Sequence, residues 1–284
     1  MSRASIDSVA ERLSTVSVHT HTNPYRRFEW FATLDHGRPV MSDGLLSLAG
    51  HPLLPTLSDE QRWQLGLSEM VHFFSLNIAG ERELLTGLSR RLQLGSSPMV
   101  SEYLHHFLDE ENAHMLVFAQ FCQRYVGKIY PSRNMSLPRT FLPGEEEFLF
   151  FAQALVFEEI AAWFNRKLAG DAALCPLVRE INEYHAVEEA RHVLFGRAML
   201  ENLYAKSAAA WGDEGRRRIG AYLHAYVQAT LRSYVDPIVY ADAGLPGDAF
   251  ALRDEALATT SWRSLEDSAA KRIRMILAGL GMSD

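Results

Sequence analysis

Only two cysteines occur in this 284-residue chain, Cys122 and Cys175, in unrelated contexts and without a C-x-x-C spacing. That excludes a disulfide framework and a thiolate zinc site, and it fits a reducing cytoplasm. Long apolar runs are also missing. The most apolar stretch, FLFFAQALVF from Phe148, stops at Glu158 after ten residues, too short for a membrane span. The N-terminus carries Arg3, Asp7 and Glu11 where a signal peptide needs unbroken apolar residues, so neither export nor a membrane anchor is expected. Positive charge is scarce as well: the formal net charge is -7, and the arginines are scattered apart from short runs such as Arg216, Arg217 and Arg218. No basic footprint for nucleic acid results. No run of alternating β-branched residues suggests a sheet, so the expected class is all-α.

What the chain does have is apolar residues at helical spacing. They make up 48% of the sequence, enough for a substantial core. From Ser58, an N-cap followed by Asp59 and Glu60, apolar side chains recur at Trp63, Leu67, Met70, Val71, Phe74, Ile78, Leu85 and Leu88. A second helix is expected from about Val100 to Tyr125. A connector holding Pro131, Pro138 and Pro143 follows. Further helices are expected over Glu145 to Leu168, Leu177 to Tyr204, 208–233 and 262–279. The organisation expected is one domain over 1–284: an irregular N-terminal wrap at 1–56, a four-helix core at 57–205 and additional C-terminal helices at 206–284.

The two helical halves repeat a motif. EENAH at 110–114 and EEARH at 188–192 both read Glu-Glu-x-x-His, each on the second helix of its half. Each has a carboxylate upstream at nearly the same distance: Glu81 lies 30 residues before Glu111, and Glu158 lies 31 before Glu189. Glu81 shares the apolar face of its helix, whereas Glu83 points away. On the third helix periodicity does not separate Glu158 from Glu159, because that helix is apolar nearly all round. A Glu from each of two helices and Glu-x-x-His from each of two others is the pattern of ferritin-like dimetal carboxylate bundles. Such carboxylates bridge and neutralise two cations while imidazoles complete the coordination, a donor set suited to iron or manganese.

His185 adds to this set. On a helix of about 3.6 residues per turn, His185, Glu189 and His192 fall within roughly 40° of one another, which makes His185 a candidate seventh ligand. Glu110 and Glu188, each preceding a candidate ligand, are placed to hydrogen-bond the far ring nitrogen of a ligating histidine, and Arg191 to pair with one of them. His19 and His21, in a Thr/His alternation, read as a solvated segment. Phe74, Phe118, Phe150, Phe151, Leu155 and Tyr184 are candidate pocket walls, at spacings that also suit ordinary core.

Glu81, Glu111-x-x-His114, Glu158 and His185-x-x-x-Glu189-x-x-His192 resemble the ligand pattern of the non-haem diiron arylamine N-oxygenases of the aminobenzoate- and chloramphenicol-pathway type (AurF-like). The likeness covers about residues 58–205, and the extra histidine is its most specific element. It implies a ferritin-like bundle with Glu81, Glu111, His114, Glu158, His185, Glu189 and His192 as metal ligands. It also implies two iron ions as cofactor, with manganese the alternative, and dioxygen as co-substrate. The implied reaction, in a biosynthetic setting, turns an aryl or related amine into hydroxylamine, nitroso or nitro products. A homodimer is implied too. Reducing equivalents must come from an external electron donor or peroxide, since the sequence holds no flavin or iron–sulfur motif.

One departure stands out: between Arg62 and Arg82 the first core helix offers only His72 as a cation for a benzoate carboxylate. Three rival readings share the bundle. A radical-storing subunit like the small ribonucleotide reductase chain needs a tyrosine about one turn after the first Glu-x-x-His, where this chain has Phe118. A ferroxidase or iron-storage protein does not need the seventh ligand. An oxygenase acting on carbon, a hydroxylase or desaturase, fits the same residues.

Overall fold

Serine and proline set where the core helices begin. The structure, a computed structural model, describes residues 5–92, 97–131 and 140–282. Its helices are α1 (Ile6–Thr20), α2 (Pro24–Arg27), α3 (Asp59–Ser89), α4 (Pro98–Tyr125), α5 (Glu145–Ala169), α6 (Pro176–Ser233), α7 (Pro237–Asp242), α8 (Ala249–Ala258) and α9 (Thr260–Gly279). No strand occurs among the described residues. The Ser58 hydroxyl accepts from the Gln61 amide while the Gln61 side chain accepts from the Ser58 amide, a reciprocal box that satisfies two orphan donors. Ser97 caps α4 and Pro98 occupies its first turn. Pro176 does the same for α6, where its missing N–H has no helical partner to lose. Glu145, Glu146 and Glu147 open α5, facing the positive end of its dipole.

α3 pairs with α4, and α5 with the first arm of α6. The two pairs pack together as a four-helix bundle. Phe74, Phe118 and Phe121 from the first pair and Phe148 and Phe195 from the second are fully buried in it, each side chain contributing on the order of 1.5–3 kcal/mol. Close approach of α3 and α5 depends on two glycines. A Cβ at Gly80 would run into the Phe157 ring, and one at Gly87 into the Phe150 ring. The pairs are seven residues apart on both helices, so one antiparallel seam sets Glu81 opposite Glu158.

The expected separate helices at 177–204 and 208–233 form one element broken later, at Gly212 (φ 61°, ψ -176°). The helix formers of AKSAAAW carry the first arm through Trp211, and the chain reverses at a backbone conformation essentially restricted to glycine. Trp211 Nε1 donates to Pro143 O at 2.9 Å. The second arm then runs back along α5, marked by an Arg218–Glu145 ion pair, a Gln153–Tyr222 hydrogen bond at 2.7 Å and Phe164 stacked on Tyr234. α9 covers the rest of the outer face of α5, and α1 lies on α4 and α6. Much of the proline connector, Pro138 included, lies outside the described residues. No helix among those described is long and apolar enough to cross a membrane.

Candidate metal centre

Glu81, Glu111, His114, Glu158, His185, Glu189 and His192 all face the middle of the bundle, none more than 2% exposed. Ligand atoms of Glu111, His114, Glu189 and His192 lie within 4.8 Å of one another, and so do those of Glu81, His114 and His185. Glu111 and Glu189 lie between the histidines. His192 Nδ1 is 2.8 Å from Glu111 Oε1 and 3.2 Å from Glu189 Oε1. His114 Nδ1 is 3.5 Å from Glu111 Oε2 and 3.4 Å from Glu189 Oε1. His185 Nε2 approaches Glu81 Oε1 at 3.2 Å and Glu189 Oε1 at 3.1 Å.

The two repeats prop each other crosswise. His114 Nε2 hydrogen-bonds Glu188 Oε2 at 2.8 Å, and His192 Nε2 hydrogen-bonds Glu110 Oε2 at 2.7 Å. Each glutamate thus serves the histidine of the other half. With Nε2–H donated outward, the Nδ1 lone pair of each ring is turned to the centre, the tautomer that metal ligation requires. Arg191 pairs with both outer carboxylates, 2.8 Å from Glu110 and 3.5 Å from Glu188. Phe107 stacks on His192 at 4.0 Å between ring centroids, closing that side to water.

Electrostatics mark the cluster as built for positive charge. Burial pushes Glu81 up to about 7. Burial, then the neighbouring Glu189 and Glu111 carboxylates, raise Glu158 well above the usual range. For Glu189 burial is outweighed by His192 and His185, which hold it well below that range. Burial also disfavours charge on His114 and His192, yet the surrounding glutamates raise both well above an ordinary imidazole. Both oxygens of Glu111 and of Glu158, and His114 Nδ1, are buried without a hydrogen-bond partner, an arrangement that is costly unless the lone pairs meet a cation. Four carboxylates carry the charge of two divalent cations, and three imidazoles add neutral nitrogen donors. The residues fit a dinuclear iron or manganese centre.

The sequence matches the family model described as P-aminobenzoate N-oxygenase AurF over residues 3–281. The chain belongs to the AurF family. Curated proteins of Mycobacterium tuberculosis and Mycobacterium bovis, both described as uncharacterized, are each 24% identical over 239 residues, 80% of this chain and 67% of theirs. Among solved structures, an R2-like ligand-binding oxidase with aerobically reconstituted Mn/Fe cofactor is similar at a TM-score of 0.45 and 15% identity, covering 91% of each chain. The same kind of oxidase without metal cofactor gives 0.43 and 14%, covering 91% of this chain and 95% of that one. AurF membership together with the buried Glu/His cluster makes this chain a non-haem dinuclear metal oxygenase.

In this AurF-family chain Glu158 and Glu159 face opposite sides of α5. Glu159 turns to α9, with Oε1 at 2.9 Å from Arg272 Nε, while Glu158 faces Glu189 and Glu111. Asn165, which the sequence reading missed, contacts His185 Nδ1 through its amide. Turned about that amide, it would accept the Nδ1 proton on Oδ1, an atom without a partner, leaving the Nε2 lone pair free to face a cation between it and the Glu81 and Glu189 carboxylates. Asn165 lies seven residues after Glu158, on the same helix face, and that spacing was a usable signal. Phe118 sits 4.9 Å from the His185 ring, so the place where a radical-storing subunit needs tyrosine is filled by phenylalanine. His19 and His21 are exposed and outside the cluster; His19 bonds Thr15 O and His21 lies 3.5 Å from Asp109.

A narrow cavity of about 20 Å³, room for about one water, lies between α3 and α5. Phe73, Phe164 and Tyr234 wall it, and Glu69, His72 and Ser47 supply its polar lining. The Tyr234 phenol is raised by burial first and by Glu158 second. No arginine or lysine is among the described lining residues.

Proposed function

We propose that the chain uses dioxygen at a diiron centre to oxidise the nitrogen of an arylamine, with Glu81, Glu111, His114, Glu158, His185, Glu189 and His192 as ligands. The observation that carries this reading is the third histidine: His185 lies against Glu81 and Glu189 in a chain of the AurF family. When bound, the metal pair supplies dioxygen activation. The protein's own residues do the rest. Glu110 and Glu188 fix the orientation of His192 and His114, Arg191 balances both carboxylates, and the rings of Phe107 and Phe118 exclude water. Between Arg62 and Arg82 the first core helix offers only His72 as a cation, which supports an arylamine bearing a neutral substituent over an aminobenzoate. A cytoplasmic protein drawing on a separate electron donor, and working as a homodimer, fits this reading.

The test is anaerobic reduction of iron-loaded protein, exposure to oxygen with a panel including 4-aminobenzoate, 4-aminophenol and aniline, and mass analysis of products. Oxidised nitrogen, with 4-aminophenol or aniline preferred, is the expected result. Hydroxylated or desaturated carbon would move the chain to the carbon-oxidising reading, and ferric mineral alone to iron storage.

A further inference from the structure

A route of packed rings joins the metal centre to the surface. His114 lies edge-on to Tyr184 at 5.4 Å between centroids, Tyr184 edge-on to Phe28 at 5.5 Å, and Phe28 lies 5.9 Å from Trp30. Phe28 and Tyr184 are each 7% exposed, whereas Trp30 is half-buried and reaches solvent. The chain crosses from a candidate ligand to water in three steps. A second ring path leaves His192 through Phe107, Tyr103 and Phe195, but those three rings are at most 3% exposed. It reaches half-buried Phe150 only by way of Phe151, a longer route than the one through Tyr184 and Phe28, and it contains no tryptophan.

The surface around Trp30 is unlike the rest of this acidic chain. Tyr25 is 72% exposed and Phe31 48%, in a molecule where large exposed rings are few. Arg124 lies over the Trp30 ring at 5.8 Å, and Arg26 and Arg27 sit on α2 beside it. Arg27 is engaged by Glu180, and Glu29 is exposed nearby, so three arginines face two glutamates. Exposed rings rimmed by arginine form a surface suited to an acidic protein.

We propose that electrons enter the metal centre through Trp30, Phe28 and Tyr184, delivered by an acidic one-electron carrier protein that docks on Tyr25, Phe31, Arg26 and Arg124. The proposal rests on the diiron reading above. In each transfer the carrier loses one electron and one ferric ion becomes ferrous, and two transfers reduce the pair. The rings serve as a bridge; no bond is made or broken in them and no proton moves.

The experiment uses full-length, iron-loaded, oxidised protein mixed anaerobically with a reduced plant-type [2Fe–2S] ferredoxin in a stopped-flow instrument. Ferredoxin oxidation and the loss of ferric absorbance are followed together. In Arg26→Glu/Arg124→Glu the transfer rate should fall by about tenfold or more, and in the unmutated protein it should fall with added salt. Trp30→Leu should lower the rate to a similar degree while leaving ferredoxin binding on a sensor surface unchanged. Iron content and reduction by dithionite, a reductant small enough not to need the docking face, should stay the same in every variant. An unchanged ferredoxin rate in Trp30→Leu overturns the route. Protein that dithionite reduces and ferredoxin does not overturns the carrier. Failure to bind two irons at all would instead strike the diiron reading beneath both, and iron content reports it separately.

Discussion

Two adjacent glutamates on α5 face opposite ways, and substitution separates their proposed tasks. Glu158→Ala and His192→Ala remove groups proposed to hold metal, so both should lose bound iron as measured by elemental analysis. Glu159→Ala should keep its iron and lose stability, because it breaks the contact with Arg272 at 2.9 Å; full iron content in Glu158→Ala would reject the assignment. Glu69 gives a prediction of a different kind. Burial lifts its carboxyl from 4.5 to about 7 against the bonds from Ser47, a difference worth about 3 kcal/mol. The folded chain holds a proton there that the unfolded chain releases, so stability falls as pH rises from 4.5 to 7. In Glu69→Gln that fall should be smaller by about 3 kcal/mol, the part owed to buried Glu81 and Glu158 remaining, read as urea midpoints at pH 4.5 and pH 8 in metal-free protein. The sequence made Glu81, Glu111, His114, Glu189 and His192 legible because paired motifs fix them in register, and His185 by its place one turn before Glu189. It could not divide Glu158 from Glu159, since α9 and the second arm of α6 bury the outer face of α5 and erase its periodicity.

At the level of helices, the seam between α3 and α5 sets the spacing across the centre. Gly80 and Gly87 receive the Phe157 and Phe150 rings, and the neighbours of the first pair are Glu81 and Glu158. Gly80→Val should push these helices apart, an overpacking worth about 1–3 kcal/mol, and weaken iron binding as well. A denaturation midpoint and iron affinity both equal to those of the unmutated protein would show that the seam does not set the site. Helix starts were readable from caps, as at Ser58. The end of the fourth core helix was not: the run through Trp211 has no internal stop signal, and Gly212 turns the chain because its φ of 61° suits glycine. α7 and α8 were unforeseen, being only six and ten residues long, too short to show a clear period.

For the molecule as a whole, metal and protons compete for one buried cluster. His114 and His192 are raised by their carboxylate neighbours, and Glu158 by burial, so cations must displace protons to bind. Iron affinity should therefore weaken as pH falls. Calorimetric titration of ferrous ion in buffers of different ionisation enthalpy should show proton release; binding heats independent of the buffer would contradict it. Saturation should also raise the unfolding midpoint, by about 2.7 kcal/mol at a hundredfold excess over Kd.

The crosswise props have a consequence for how such a protein comes into being. Glu110 steadies His192 and Glu188 steadies His114, so a ribosome-bound chain that has emerged only through α4 lacks both Glu189 and the prop for its own imidazole. On the proposed ligand set iron capture would wait until synthesis has delivered both halves, which would keep a redox-active ion from a half-made chain that could not contain its reactivity.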